Sequence, residues 1–368
     1  MKHYLSVSLI SALSLGLASC VSVETDFDFD DPKPAPEWSL VIHGGAGVIT
    51  REAMSADTEA AYLTALNAAL STGSEMLSSG EPAIDVVETL IRNFEDDPLF
   101  NAGRGAVMTE TGGFSLDASI MVGDTLDAGA VAGLSNVRHP ITAARKAMEN
   151  SPHVMLASEG ADQFSAEQGL EIVDPGYFYT ERRWESLLRA LERRGVEPPP
   201  NLYGPAETTD LSFPDDRKFG TVGVVAMDQS GNIVAGTSTG GTTAKRWGRV
   251  GDSPIIGAGT YAKSGTCGVS ATGTGEYFIR LAIAYAICAR IEQSEENAQQ
   301  ASDHIIHTEL TELGGDGGVI VLGPDGEPAW SFNTEGMYRG FATSRGEQVV
   351  EIYEFRQLSA LLIVYQFP

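Results

Sequence analysis

A threonine placed directly after a glycine, at the mouth of an apolar run, carries the strongest chemical signal in this sequence. Residues 218–226 read Lys218-Phe219-Gly220-Thr221-Val222-Gly223-Val224-Val225-Ala226. An internal threonine hydroxyl is a poor nucleophile because no base sits beside it. If the chain is cut before Thr221, that residue also carries a free α-amine, with a reference pKa of about 7.7–8.0, suited to act near neutral pH.

Three further segments bear groups able to complete such a site. Thr237-Ser238-Thr239-Gly240-Gly241 closes a strand and leads to Gly248-Arg249-Val250-Gly251-Asp252-Ser253-Pro254. Arg249 and Asp252, three residues apart, suit a zwitterion: the planar guanidinium fork grips a carboxylate and the aspartate takes an ammonium. Taken alone, the pair reads equally as a surface ion pair on a loop. Thr272-Gly273-Thr274-Gly275-Glu276 precedes an apolar helix. Backbone amides at a helix start favour negative charge and suit an oxyanion, a reading compatible with simple capping by Thr272 or Thr274. His43-Gly44-Gly45-Ala46-Gly47 follows a strand. It lacks the spacing of a phosphate loop, and no G-x-S-x-G elbow accompanies it, so tight strand packing is its plain alternative.

These segments need a scaffold, and periodicity outlines one. Residues 39–43 form a β-like run, and residues 56–79 and 84–94 carry helical spacing. Short strands are expected over 114–123 and 127–134, then a helix over Pro140 to Asn150 that opens on proline. Residues 181–194 read as a charged amphipathic helix, and 195–219 lose all periodicity. A long irregular stretch inside a compact domain needs a reason, and processing at its far end supplies one. Thr221 to Met227 and Ile233 to Thr239 predict one hairpin. Val319 to Leu322 and Ala329 to Asn333 predict another, with a single helix expected over Gly275 to Gln293 between them. Strands and helices come in blocks rather than strict alternation, which favours a layered α+β fold over a doubly wound parallel sheet.

Composition sets the outer limits. Lys plus Arg number 24 against 50 for Asp plus Glu, a formal charge of −26 in 368 residues. Such a surface argues against nucleic acid. The first twenty residues read as an export signal: a short basic start, an apolar stretch from Leu5 to Leu17 too short to span a bilayer comfortably, and Leu17-Ala18-Ser19-Cys20. That ending resembles a bacterial lipobox, with Cys20 as the lipidated first residue of the mature chain; Val21 after it favours the outer membrane, facing the periplasm. An ordinary cleaved signal, leaving a soluble periplasmic protein, is the alternative. Residues 21–37 are acidic, then proline-rich, and read as a tether. Only Cys267 and Cys288 remain after processing. Because Cys288 lies in an apolar helical run, both are expected as packed free thiols rather than a disulfide. No spacing suggests a zinc site.

Taken in order along the chain, ten motifs resemble the plant-type L-asparaginases, also called isoaspartyl peptidases. They are His43-Gly-Gly-Ala-Gly47, Asn101-Ala-Gly-Arg-Gly-Ala106, Leu116-Asp-Ala118, Gly129-Ala-Val-Ala-Gly133, Ser151-Pro-His-Val154, Thr221-Val-Gly223, Thr237-Ser-Thr-Gly-Gly241, Gly248-Arg-Val-Gly-Asp-Ser-Pro254, Thr272-Gly-Thr-Gly-Glu276 and Phe332-Asn-Thr-Glu-Gly-Met-Tyr-Arg-Gly340. The resemblance runs from about Leu40 to Tyr353. It implies an N-terminal nucleophile hydrolase with a four-layer αββα sandwich, two antiparallel sheets flanked by helices. One hydrolase domain would then be cut into an α subunit, 38–220, and a β subunit from 221 onward, and two αβ units would form a homodimer. It implies self-cleavage between Gly220 and Thr221, with Thr221 as nucleophile and Thr239 orienting it. Arg249 and Asp252 would hold the substrate's α-carboxylate and α-ammonium, Thr272 and Gly273 the oxyanion, with Gly275 beside the ammonium and Asn101 near the scissile junction. No organic cofactor is implied. The loop from Phe94 to Arg104 resembles the family's structural sodium loop, where the backbone carbonyls of Phe94, Glu95, Asp97, Phe100, Ala102 and Arg104 would cradle the ion.

The chain departs from that pattern in places. Between Gly241 and Gly248 it carries Thr242-Thr243-Ala244-Lys245-Arg246-Trp247, and Trp247 bears on which leaving group is preferred. The tail from residue 354 to 368 extends past the resemblance and is too short to cross a membrane. The expected activity is hydrolysis of L-asparagine, of β-aspartyl dipeptides, or of both. One alternative is a glycosylasparaginase, although Thr-Gly-Gly at 239–241 favours the asparaginase branch over one that resembles Thr-Asn-Gly. Another is an uncut binding lipoprotein.

Overall fold

A run such as 222–227 (VGVVAM) has no polar face, so it folds only where both sides are covered. The computed structural model describes residues 34–204, 220–294 and 296–354. The export signal with Cys20, the tether up to residue 33, the end of the irregular segment (205–219) and the tail from residue 355 lie outside the described residues. In chain order the elements are β1 (Ser39–Gly47), α1 (Ala56–Ser78), α2 (Ala83–Asp96), β2 (Leu116–Val122), β3 (Ala128–Leu134), α3 (Pro140–Asn150), β4 (Met155–Ala157), α4 (Ser158–Glu167) and α5 (Glu181–Arg194). There follow β5 (Val222–Met227), β6 (Ile233–Thr239), β7 (Thr260–Lys263), β8 (Cys267–Gly273), α6 (Gly275–Leu281), α7 (Ile283–Ser294) and α8 (Ala298–Asp303). The last strands are β9 (Gly317–Leu322), β10 (Pro328–Phe332), β11 (Gly336–Thr343) and β12 (Gln348–Tyr353).

The strands form two sheets. Eight lie in the order β12-β11-β1-β5-β6-β2-β3-β4, and four in the order β10-β9-β8-β7. Pairing is antiparallel except that β4 runs parallel to β3, so the expectation of purely antiparallel sheets is corrected at that edge. The two-residue alternation of a strand sorts the apolar side chains. Leu40, Ile42, Val224 and Ala226 face α1 and α2, packing with Leu66, Leu70, Leu90 and Ile91. Val41, Val225, Ile233 and Ala235 turn the other way and meet Ile320 and Leu322 of the smaller sheet. On that sheet Val269, Val319 and Val321 face Phe278, Ile287 and Ile305.

Helix boundaries follow local chemistry. Ser55 caps α1, accepting from the Thr58 amide at 3.1 Å. The carboxylate of Glu95 caps α3, accepting from Ile141 at 3.0 Å just after Pro140. Gly195 ends α5 in the left-handed conformation. The single helix expected over 275–293 is in fact two. Ala282 adopts a left-handed φ of 49° and closes α6. The amides that open α7 are then satisfied from outside the helix, with Ala284 donating to Ala258 and Tyr285 to Gly257 at 3.2 and 2.9 Å. No glycine or proline marks this break, so periodicity ran through it.

The cysteines also correct expectation. Cys267 on β8 and Cys288 on α7 form a disulfide, their Cα atoms 5.6 Å apart. Both are fully buried, as packed thiols would be, but their backbones lie within bridging distance. The bridge ties the strand that ends at Thr272 and Gly273 to the helix behind it. With a sequence separation of 21 between its ends, the chain-entropy argument assigns it roughly 3 kcal/mol. Peptide mapping without reductant should therefore recover a Cys267–Cys288 linked pair. The Cys267→Ala/Cys288→Ala variant should melt lower by roughly 5 °C or more in calorimetry. Two alkylatable thiols in unreduced, denatured protein would refute the bridge.

Candidate active site

The start of β5 lies beside the end of β6, because Val222 pairs with Ser238 in the antiparallel register. That register brings Thr221 and Thr239 together: their hydroxyls share a hydrogen bond of 2.9 Å. Thr239 Oγ1 also accepts from the Gly241 amide at 2.9 Å. This fixes its position, and with it that of Thr221, which is only 8% exposed. The expected orienting role of Thr239 thus has a geometric basis.

Asn101 binds the junction from the other side. Its amide donates to the Gly220 carbonyl at 2.9 Å, and its own carbonyl accepts from Gly240 at 2.9 Å. Its side chain donates to the Gly241 carbonyl at 2.8 Å and accepts from Val107 at 2.8 Å. The contact to Gly220 polarises the carbonyl that Thr221 would attack. Crowding explains the glycines here. A Cβ on Gly220 would lie 2.8 Å from Asn101 Cβ. One on Gly45, whose φ is +110°, would lie 2.6 Å from the Gly220 Cα. The His43–Gly47 segment therefore packs against the Gly220-Thr221 bond itself.

Arg249, Asp252 and Gly275 lie close together. A Cβ on Gly275 would sit 2.7 Å from Asp252 Oδ1 and 3.0 Å from Arg249 Nη2, so the bare glycine leaves the space between them open. Asp252 is buried, and its Oδ2 has no hydrogen-bond partner among the described residues. Burial pushes its pKa up to about 7, against the pull of Arg249, while Glu276 and Asp117 add to the rise. The hydroxyl of Thr272 is likewise buried without a partner among the described residues. Buried polar groups are normally paired. An unpaired carboxylate oxygen and an unpaired hydroxyl are here available to a ligand.

The residue-by-residue reading missed two features. Arg249 is held in a bidentate pair by Glu276, with Nε–Oε1 and Nη2–Oε2 both 2.9 Å. Glu276 closes the Thr272–Glu276 motif, and its charge four residues after Thr272 was a usable signal. The second feature is a buried polar seam between the sheets. His43 Nε2 lies 3.0 Å from Ser270 Oγ, and Ser270 Oγ lies 2.6 Å from Thr237 Oγ1. Thr260 donates to Thr237 at 2.6 Å, and Ser119 reaches Thr260 at 2.8 Å and the Ser253 carbonyl at 2.6 Å. All five side chains are fully buried. Burial holds His43 down to about 3, so it is neutral at any ordinary pH.

The loop expected to hold sodium folds back on itself. The Glu95 carbonyl accepts from Arg104 at 2.6 Å, Phe94 from Asp97 at 3.2 Å, and Asp97 from Phe100 at 3.2 Å. A Cβ on Gly105 would meet the carbonyls of Pro98 and Phe100 at 2.7 and 2.8 Å. The Glu95 side chain is committed elsewhere, to Ile141 and to Ser238 Oγ at 2.6 Å. The turn thus combines these backbone carbonyls with one carboxylate, that of Asp97, whose Oδ1 accepts from the Leu99 amide at 2.9 Å. Among the expected donors, Ala102 and Arg104 are on the same loop, but nothing in their contacts directs their carbonyls to the Gly105 face.

Asp252 makes the site pH-dependent. Its folded-state pKa lies near 7, so it is largely neutral below that value and gains the charge an ammonium needs above it. Affinity for L-aspartate, measured by calorimetry from pH 5.5 to 8, should tighten as pH rises through about 7. A flat profile would exclude Asp252 as the ammonium partner.

The sequence is similar to known proteins over most of its length. A family profile described as Asparaginase matches residues 36–352. The chain is 46% identical over 314 residues to the isoaspartyl peptidase of Escherichia coli K12, covering 85% of this chain and 95% of that one. It is 42% identical over 327 residues to a probable isoaspartyl peptidase/L-asparaginase of Arabidopsis thaliana, covering 86% and 99%. It is 39% identical over 306 residues to the plant-type L-asparaginase of Pyrococcus furiosus, covering 82% and 95%.

Proposed function

Since the chain belongs to the asparaginase family that matches it from residue 36 to 352, we propose that it is a self-processing β-aspartyl hydrolase acting through Thr221. Its substrates are L-asparagine, β-aspartyl dipeptides or both, a reading supported by relatives named isoaspartyl peptidase and probable isoaspartyl peptidase/L-asparaginase. The observation that carries this is the Thr221–Thr239 hydroxyl pair set against a Gly220 carbonyl already held by Asn101.

Maturation begins when Thr221 Oγ attacks the Gly220 carbonyl. The Asn101 amide stabilises the charge that develops on its oxygen. Collapse breaks the C–N bond and transfers the acyl group to oxygen, and water hydrolyses the ester. The freed α-amine then serves as base for the same hydroxyl. In turnover, Arg249 and Asp252 hold the aspartyl carboxylate and ammonium. Thr221 Oγ attacks the side-chain carbonyl while the Thr272 hydroxyl and the Gly273 amide receive the oxyanion. The amine leaves with a proton returned from the α-amine, and water releases aspartate from the ester.

The same reading extends to the assembly. The apolar clusters on both faces of each sheet support a four-layer αββα sandwich, and two αβ units are assigned to one homodimer. The carbonyl-lined turn after α2 is assigned to one sodium ion that braces the loop bearing Asn101. Export with a lipid on Cys20 places the enzyme in the envelope, at the outer membrane facing the periplasm. A disulfide between Cys267 and Cys288 suits an oxidising compartment of that kind.

Denaturing electrophoresis should resolve two fragments, and the smaller should begin Thr-Val-Gly-Val. Thr221→Ala should leave the chain whole and lower turnover of asparagine and of β-Asp-Leu by at least about a thousandfold. Wild-type protein that stays uncut, or retained turnover in the variant, would defeat the mechanism. Glycosyl-asparagine as the sole substrate would move the enzyme to the other branch.

A further inference from the structure

The segment between Gly241 and Gly248 is strained in a way its neighbours are not. Ala244 and Trp247 both take left-handed φ values of 57° without being glycine. Gly248 follows at 68°, and the Arg249 amide donates back to the Arg246 carbonyl at 2.9 Å. Trp247-Gly248 is thus the central pair of a tight turn that asparagine-glycine adopts without strain. A bulky aromatic residue held there points to a use for its side chain.

The turn's two ends are fixed inward. Lys245 is buried, donating to the Ser115 carbonyl at 2.6 Å, and Arg249 belongs to the aspartyl clamp. Between them Arg246 and Trp247 face solvent. Trp247 is 90% exposed, the most open large apolar side chain among the described residues. The Arg246 guanidinium lies 4.2 Å from its ring centroid and 3.6 Å from Glu110. A cation over an indole face is a preformed surface with one apolar and one positive component.

That pairing matches one half of a β-aspartyl dipeptide. The clamp takes the aspartyl half. The other half leaves as a whole amino acid, with a side chain and a free α-carboxylate, whereas asparagine releases only ammonia. Resting on the function proposed above, we infer that Arg246 and Trp247 form a leaving-group subsite: the indole packs on an apolar side chain of the departing residue and Arg246 pairs with its carboxylate.

Kinetics on three substrates test this in the mature enzyme: asparagine, β-Asp-Leu and β-Asp-Leu amide. Trp247→Ala should raise KM for both dipeptides about fivefold, with Trp247→Phe restoring most of the loss. Arg246→Gln should raise KM for β-Asp-Leu but not for its amide. Asparagine kinetics should stay within about twofold in every variant, which also reports on folding. Equal changes for asparagine and dipeptide, or no change for β-Asp-Leu, would overturn the subsite while leaving the hydrolase intact. A wild-type enzyme that turns over asparagine but neither dipeptide would overturn it too. Failure to turn over any of the three would overturn the hydrolase reading and the subsite with it.

Discussion

Backbone packed on backbone at the Gly220-Thr221 junction is the constraint around which this protein is arranged. Gly45, Gly220 and Gly240 each lie where a Cβ would fall inside contact distance of a neighbouring segment. Segments 43–47, 101 and 239–241 are separated widely in sequence, yet all close on one peptide bond. Only chain without side chains approaches that closely. The crowding has a chemical consequence. It lets the Asn101 amide reach the Gly220 carbonyl and lets the Thr239 hydroxyl reach Thr221, so donor, electrophile and nucleophile are placed before any cleavage occurs. Preorganisation of this kind removes reorganisation from the reaction step.

What holds those segments in register is the seam between the sheets. An apolar interface alone is non-directional and permits small slips. The His43–Ser270–Thr237–Thr260–Ser119 chain is directional, because each hydroxyl satisfies the next. Leaving one such group unpaired costs about 1–3 kcal/mol, so a displaced sheet is penalised at several points together. The chain starts on β1, two residues before Gly45, and ends on the carbonyl of Ser253, next to Asp252. One network thus joins the strand packed on the Gly220-Thr221 bond to the loop carrying Arg249 and Asp252. It also explains why Gly223 has no side chain, since a Cβ there would strike both Ser270 and His43.

Much of this was legible in the residues. The hairpin ending at Thr239, the helix opening on Pro140 and the charged helix over 181–194 follow from alternation, capping and helical spacing, and the structure has them at those bounds. Gly220-Thr221 and the Arg249/Asp252 pair drew notice because their residue types and spacing are local, although Arg249 and Asp252 alone read equally as a surface ion pair. What escaped was set by tertiary context. The break at Ala282 is enforced by Ala258 and Gly257 carbonyls from another loop, which no helix propensity reports. β11 did not read as a strand because Arg339 sits in it, fully buried over Trp330 and Phe332 and paired with Glu351. The disulfide depends on a Cα separation that spacing in sequence cannot supply. The polar seam draws its members from five strands, so no local pattern contains it.

The clamp shows how a free site stays ready without becoming trapped. Arg249 would be a costly residue to leave unpaired, since its guanidinium is only 18% exposed. Glu276 satisfies it with a carboxylate of the same fork geometry that a substrate presents. Glu276 is itself 57% exposed. Pairs with one wet partner are worth about 1 kcal/mol or less, because the displaced carboxylate regains its hydration. Replacing Glu276 with a substrate carboxylate is then close to an even exchange. On the proposed function, the net gain falls to Asp252, whose buried Oδ2 has no hydrogen-bond partner among the described residues. On that same reading, the arginine then orients the aspartyl group, and the aspartate supplies the affinity for its ammonium.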